Sequence, residues 1–282
     1  MFKKVYVEIT NICNLSCSFC HKTEREGRMM SAEEFVTIAD RLKGRAQQLY
    51  FHLMGEPLLH PELPGFIRLA AERGFSPVIT TNGTLLPQRG RDILLEHLHK
   101  INISLHSAEA NPDRAADDYL SGCISFAKAS AKNGVYTVFR LWNIGGLEQN
   151  NAGLLAGLKA EYPCEWETTR SGYRIADRTF IEFGEKFDWP DLDAEVHDGE
   201  LFCYALRDQA GILCDGTVVP CCLDADGRMA LGNILRDDLD EILSSDRARR
   251  IYDGFSSHRP VEDLCRRCGY ASVTKKFRAR DK

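Results

Sequence analysis

No apolar run in this 282-residue sequence approaches the length of a membrane span, and Met1-Phe2-Lys3-Lys4 enters a strand pattern without the apolar stretch of a signal peptide. Basic residues are not in excess: the net charge of −5 argues against a nucleic-acid partner. Low-complexity segments are absent, as are repeats other than alternating strands and helices. Cysteine is missing between Cys20 and Cys123, although the chain holds eleven cysteines in all. In a chain without a secretion signal, that number reads as metal ligands or redox groups and implies a reducing cytoplasm. What is present, 44% hydrophobic and 27% charged residues, suits a large α/β domain with an appendage.

Residues 4–10 alternate, with Val5, Val7 and Ile9 on one side and Tyr6, Glu8 and Thr10 on the other, which predicts a strand. Ser31-Ala32-Glu33-Glu34 is a capping box that opens a helix with the stripe Phe35, Ile38, Ala39 and Leu42. Further strands are expected at Leu49–Leu53, Val78–Thr81, Ile101–Leu105 and Val135–Trp142. Helical patterns lie near Phe66–Ala70 and over 90–99, 115–132 and 149–160. Strands alternating with helices imply a parallel sheet, here a partial (β/α)6 TIM-like barrel. Residues 164–200 read as short strands over Arg174–Phe183 followed by the linker Phe187-Asp188-Trp189-Pro190-Asp191. The expected division is 1–185 for the barrel and 186–282 for a small cysteine-rich domain.

A parallel strand covered by helices should be apolar on both faces. Here Asn102, Ser104 and His106, together with Tyr6, Glu8, Thr10, His52, Thr80 and Arg140, form a polar face. Such a lumen is costly unless it hydrogen-bonds internally or to something bound. Met54-Gly55-Glu56-Pro57 and Thr80-Thr81-Asn82-Gly83 fall at strand ends, where barrel sites form. The Asn-Gly pair reads as a strand-to-helix corner because Pro87 and a helical pattern follow. Cys13, Cys17 and Cys20 crowd the first loop. Thiolates suit zinc, copper or an iron–sulfur cluster, and a tetrahedral zinc site would need a fourth ligand such as His21.

The C-x3-C-x2-C spacing, with Phe19 before its last cysteine, resembles the signature of the radical SAM superfamily. Met54-Gly55-Glu56-Pro57 is similar to that family's Gly-Gly-Glu-Pro motif, with Met54 in place of the first glycine. The resemblance implies a 4Fe-4S cluster on Cys13, Cys17 and Cys20, with one iron open to S-adenosylmethionine. It also implies that Gly55 and Glu56 hold the methionyl ammonium and that the Phe19 backbone meets the adenine. Asn82 and Ser104 would lie near the ribose or carboxylate, and Arg140 would pair with the carboxylate.

Cys203, Cys214, Cys221, Cys222, Cys265 and Cys268 form a second group. Cys214–Cys221 reads as a hairpin with an Asp-Gly turn, and Cys265-Arg266-Arg267-Cys268 as a chelating turn. Four thiolates suit zinc as well as an iron–sulfur cluster. The layout resembles the SPASM and twitch domains of radical SAM enzymes, among them the anaerobic sulfatase-maturating enzymes and 2-deoxy-scyllo-inosamine dehydrogenase. With no cysteine after Cys268, the resemblance implies one auxiliary 4Fe-4S cluster on Cys203, Cys221, Cys265 and Cys268, leaving Cys214 and Cys222 as spares, either of which could replace a ligand. Cys123 and Cys164 are expected to be ordinary buried residues.

The function implied is reductive cleavage of S-adenosylmethionine to a 5′-deoxyadenosyl radical and hydrogen abstraction from a substrate, with the auxiliary cluster taking an electron in a two-electron oxidation. Glu8, His52 and Tyr6 are candidate bases, and Trp142 and Arg170 candidate substrate contacts. The first strand begins near residue 4, so no leader-binding domain is expected and a small molecule or exposed peptide segment is the expected substrate. The electron donor would be a flavodoxin or ferredoxin. Alternatives are a peptide-modifying maturase and a non-enzymatic iron–sulfur or zinc module. A glycyl-radical activating enzyme would carry cysteines within 21–48, which this chain lacks.

Overall fold

The computed structural model describes residues 1–108, 116–146, 148–197 and 199–271. Chain order runs β1 (Phe2–Val7), α1 (Ala32–Leu42), β2 (Ala46–Tyr50), α2 (Leu63–Glu72), β3 (Ser76–Thr81), α3 (Leu86–Leu94), β4 (Lys100–Ser104), α4 (Ala116–Lys132), β5 (Tyr136–Ile144) and α5 (Asn151–Glu161). It continues with β6 (Glu167–Thr169), β7 (Gly172–Ala176), β8 (Thr179–Glu185), β9 (Gln209–Ile212), β10 (Thr217–Val219), β11 (Gly232–Asn233), α6 (Leu239–Leu243), α7 (Asp246–Ser256) and α8 (Asp263–Arg266). All strands join one sheet in the order β11-β10-β9-β1-β2-β3-β4-β5-β8-β7-β6. The six neighbours from β1 to β5 and then β8 are parallel, the expected barrel segment, with helices between the first five.

Local chemistry explains the elements. Ser31 Oγ accepts from Glu34 N at 3.2 Å, and the Glu34 carboxylate accepts from Ser31 N at 2.9 Å, so the capping box forms as written. The α1 stripe buries Phe35, whose ring stacks 4.3 Å from Phe66 of α2 and meets Phe51 edge-on. Each such buried ring contributes roughly 1.5–3 kcal/mol. The helix expected over 90–99 starts earlier, at Leu86: Gly83 turns the chain at φ +82° and Pro87 sits in the first helical turn. His97, at φ +58°, lies past its end.

The strand expected at Leu49–Leu53 lies earlier: β2 runs Ala46–Tyr50, and the chain turns away after Phe51 N donates to Val78 O at 2.9 Å. The short strands expected over Arg174–Phe183 are β7 and β8, antiparallel and separated by Arg178 in the left-handed region, and β8 pairs in parallel with β5 as the last barrel strand. One reading is corrected. Cys164 is exposed, because it follows α5 in a surface loop; its thiol donates to Ile175 O at 3.2 Å. Cys123 is buried as expected.

After β8 ends at Glu185, β9 returns to pair in parallel with β1, matching Val5 with Ala210, and the β9–β10 hairpin turns at Gly216. Leu213 and Val219 from this hairpin pack in the lumen against Tyr6, Tyr50, Leu53 and Val78. The C-terminal part thus extends the sheet and fills the open flank of the barrel. Residues 272–282 of the expected C-terminal domain, and residue 115 of the fourth helical pattern, lie outside the described residues.

Candidate active site

Cys13, Cys17 and Cys20 sit in the loop after β1, Cys13 exposed and the others half-buried. Cys20 N donates to Cys17 O at 3.2 Å, and Leu15 N to Cys13 Sγ at 3.5 Å, so the thiols are carried by a folded turn. Gly55 explains how the second motif reaches this loop. It adopts φ +75°, and a Cβ there would stand 2.3 Å from Thr10 O and 2.9 Å from Ile12 O. Only glycine permits that approach. Glu56 N then donates to Ile12 O at 2.9 Å.

The Glu56 carboxylate points inward. It is 1% exposed and accepts from Thr81 Oγ1 at 2.7 Å, Asn82 N at 2.8 Å and Leu58 N at 3.0 Å. Burial pushes it up to about 7 despite these donors. Asn82 Nδ2 donates to Asn14 Oδ1 at 2.9 Å, and its carbonyl accepts from Tyr119 Oη at 2.7 Å. Thus Glu56 and Asn82 tie the ends of β2 and β3 to each other and to the cysteine loop. Phe19 lies against His106, with ring centroids 5.1 Å apart. Ser104 and Arg140 are neighbours in register on β4 and β5. Arg140 donates to Glu182 of β8 at 3.1 Å and stacks on Trp142.

Glu8, a candidate base, is fully buried and committed to other contacts. Its carboxylate lies 2.7 Å from Arg25 Nη2 and accepts from Met54 N at 3.1 Å and Cys214 N at 3.2 Å. One carboxylate therefore joins the cysteine loop, the turn after β2 and the C-terminal part. Arg25 Nε also donates to Ala225 O at 2.8 Å, while Asp226 accepts from Thr23 Oγ1 at 2.6 Å and Glu24 N at 3.0 Å. His21 approaches the same Asp226 and stacks on Trp189. Cys214 lies in this strap, its thiol pushed up to about 12 by burial and the nearby Glu8.

Cys203, Cys221, Cys265 and Cys268 line one cavity of about 150 Å³. Burial pushes Cys203 up to about 12 and raises the other three, and the adjoining thiols reinforce the shift at Cys221 and Cys265. Among the described residues, no three His, Cys, Asp or Glu side chains converge as for a single metal ion. The donor set lining this cavity, five thiols counting Cys222 and no carboxylate, fits a soft iron–sulfur group. Cys222 also lines the cavity, packed against the Tyr6 and Tyr50 cluster, and Met229 accepts from Cys265 Sγ at 3.4 Å. Gly269 lets the chelating turn pack against the 187–191 segment, since a Cβ would meet Asp188 O at 2.6 Å.

Barrel residues line the same cavity: Lys4, Tyr6, Tyr50, His52, Arg140 and Trp142. Burial drives His52 down to about 3, so the ring is neutral, and its Nδ1 has no hydrogen-bond partner. Burial raises Tyr6 well above the usual phenol range. Trp142 lines the cavity as expected, whereas Arg170 sits exposed at the β6–β7 turn and does not. Sequence reasoning missed Lys4, Tyr50, Glu182, Arg25 and Met229. Lys4 carried a readable signal, since it precedes Tyr6 and Glu8 at the same period of two; Met229 carried none.

With this geometry in view, the comparisons with known proteins are informative. Residues 7–143 match the radical SAM superfamily and residues 203–269 match the iron–sulfur cluster-binding SPASM domain. The chain belongs to the radical SAM superfamily of enzymes, whose shared chemistry is reductive cleavage of S-adenosylmethionine, and it carries a C-terminal SPASM-type domain. Among curated relatives, the S-adenosyl-L-methionine-dependent 2-deoxy-scyllo-inosamine dehydrogenase of Niallia circulans is 23% identical over 97% of this chain and 95% of its own. The tungsten-containing aldehyde ferredoxin oxidoreductase cofactor-modifying protein of Pyrococcus furiosus is 36% identical, but the match covers 36% of this chain and 29% of that relative. Of solved structures, BtrN in complex with AdoMet and 2-DOIA aligns with a TM-score of 0.59 at 20% identity, covering 97% of this chain and 95% of BtrN. SuiB of Streptococcus suis aligns with a TM-score of 0.61 at 16% identity, covering 97% of this chain and 72% of SuiB. These structural likenesses show a shared fold.

Proposed function

We propose that this chain is a radical SAM oxidoreductase carrying out a two-electron oxidation, with residues 1–185 as the catalytic barrel and 186–282 as an auxiliary domain with one 4Fe-4S cluster. The observation that carries this reading is a single cavity lined both by Cys203, Cys221, Cys265 and Cys268 and by Tyr6, His52, Arg140 and Trp142. When bound, the clusters and S-adenosylmethionine supply a 5′-deoxyadenosyl radical for hydrogen abstraction and a nearby acceptor for the second electron.

The chain's own residues then have distinct tasks. Cys13, Cys17 and Cys20 would hold the first cluster, which would supply the S-adenosylmethionine cleavage chemistry. Gly55 and Glu56 offer their main chain to the methionyl ammonium, since the Glu56 carboxylate is occupied by Thr81, Asn82 and Leu58. The Phe19 backbone meets the adenine, and Asn82 and Ser104 border the ribose or carboxylate. Arg140, which opens on the auxiliary cavity beside Glu182, is assigned to the substrate. Tyr6, Tyr50, Leu53 and Val78 exclude water from the lumen.

The dehydrogenase named for 2-deoxy-scyllo-inosamine supports oxidation of a small molecule, with an exposed peptide segment as the alternative for a maturase. A flavodoxin or ferredoxin would deliver the electron. The eleven free cysteines support a reducing cytoplasm. The test is iron, sulfide and zinc content after anaerobic reconstitution of wild type and a Cys13/Cys17/Cys20→Ala variant. The expected result is about eight iron per chain falling to about four. Zinc in the C-terminal site, with iron falling from about four to zero, would end the auxiliary-acceptor reading.

A further inference from the structure

The lumen wall of the auxiliary cavity has more cations than anions. Lys4 and Arg140 line the cavity directly. Lys100 stands behind them, its Nζ donating to Tyr50 Oη at 3.4 Å. Lys4 and Lys100 both lie over the Tyr50 ring, 5.7 and 5.6 Å from its centroid, and Lys4 also lies 5.2 Å from the centroid of Tyr6. Against these three positive groups stands one paired carboxylate, Glu182, 3.1 Å from Arg140. Among the described residues neither Lys4 nor Lys100 forms a salt bridge. Cations gathered in a half-buried cleft repel one another, and burial and the nearby Arg140 depress both lysines.

Two of the lining residues also carry unsatisfied hydrogen-bonding groups. Trp142 Nε1 is buried without a partner, and an indole nitrogen can only donate. His52 Nδ1 is likewise buried without one. Buried polar groups in folded proteins are almost always paired, so an orphaned pair lining one cavity points to a ligand that completes it. With donors and positive charge concentrated there, that ligand must bring acceptors and negative charge.

We infer that the cavity binds an anionic small molecule, a carboxylate or a phosphate ester, held by Lys4 and Arg140 with Trp142 Nε1 as a further donor. This assignment rests on the proposed function only in taking the cavity as the substrate's place. It separates this chain from any enzyme acting on an amine, because an ammonium would face Lys4 and Arg140 across a cleft with little water to screen them. The competing anion is the auxiliary cluster itself, whose thiolates line the same cavity, and the experiment distinguishes the two.

Reconstituted holoenzyme of verified iron content is titrated calorimetrically at low salt with inorganic phosphate, acetate, neutral myo-inositol and cationic glucosamine. Phosphate or acetate should bind one per chain, at least about tenfold more tightly than the other two. Binding of phosphate alone assigns a phosphate ester, and of acetate alone a carboxylate. Lys4→Met should weaken the anion about tenfold, the loss expected for one charge-assisted hydrogen bond, and Lys4→Arg should restore it. Lys100→Met, at the rear of the site, is the second variant should Lys4→Met fold poorly, and it should weaken the anion less. The inference is overturned if glucosamine binds as well as the anions. It is equally overturned if Lys4→Met shifts the auxiliary cluster's reduction potential while anion affinity stays unchanged, for then the cations only balance the cluster. A preparation lacking iron in the C-terminal site would instead refute the proposed function, and is seen before any titration.

Discussion

Cys13, Cys17 and Cys20 lie within eight residues on one loop at the protein surface, whereas Cys203, Cys221, Cys265 and Cys268 come from separated turns and line a cavity. The first set is a local chelate, in which chain spacing alone brings three thiols together. Three thiols on one loop, Cys13 exposed and the others half-buried, suit the proposed cofactor-binding cluster. The second set exists only once the sheet has brought β9 beside β1 and the 187–191 segment has packed on Gly269. A cavity lined by these four thiols, with Cys222 beside them, suits the proposed electron-accepting cluster. The two are mechanically joined, because the Glu8–Arg25 pair and Asp226 strap the first loop to the C-terminal part.

The comparison breaks most sharply if the C-terminal set is removed. Cys265→Ser with Cys268→Ser should abolish turnover to oxidised product and cost about four iron per chain, while 5′-deoxyadenosine still forms from S-adenosylmethionine in the presence of a chemical reductant. Chromatographic quantification of both products checks this; loss of 5′-deoxyadenosine as well would mean the two regions are not separable.

Next in size is the strap. Glu8→Gln keeps acceptors for Met54 N or Cys214 N but leaves Arg25 without its buried counter-charge, so stability should fall by about 3 kcal/mol. Denaturant unfolding measures the loss, and cleavage of S-adenosylmethionine should fall with it because the cysteine loop is no longer held. Arg25→Met together with Glu8→Gln should recover part of the stability.

An effect of similar size sharpens the contrast through pH. Glu56, near the first loop, is raised from 4.5 to about 7, so the folded state holds its proton longer than the unfolded chain. Its contribution therefore falls as pH rises from about 4.5 to about 7, by about 3 kcal/mol, and is level above. His52, in the lumen, is lowered from 6.5 to about 3, so its contribution falls as pH drops below about 6.5. Between about pH 4.5 and 6.5 the two slopes oppose each other. Unfolding of the cluster-free protein across that range should show Glu56→Gln gaining stability with rising pH relative to wild type, and His52→Gln losing it. Parallel slopes for both variants would show that the two buried groups do not have opposite linkage.

The parts of the fold carried by short-range chemistry were legible in the sequence. The capping box at Ser31, the Gly83 corner and the Asp-Gly hairpin near Gly216 each have a residue whose backbone preference selects one conformation. The polar alternation on β1 and β4 announced a lined lumen. Less legible were Glu8 and Glu56, read as functional carboxylates, since only the fold reveals that backbone amides and Arg25 occupy them. Cys164 was read as buried from its residue type, yet its place in a loop after α5 leaves it exposed.

The sequence by itself determined the chelating spacing of Cys13, Cys17 and Cys20, the Gly55-Glu56 turn and the βα alternation, because each depends on bonds and periodicities spanning a few residues. Tertiary structure alone decided that β9 joins β1, that four distant thiols share a cavity with Lys4, His52 and Arg140, and that Glu8 straps the two regions. Those outcomes depend on contacts between segments up to about two hundred residues apart, such as Glu8 with Cys214, and only burial of the intervening chain brings such groups together.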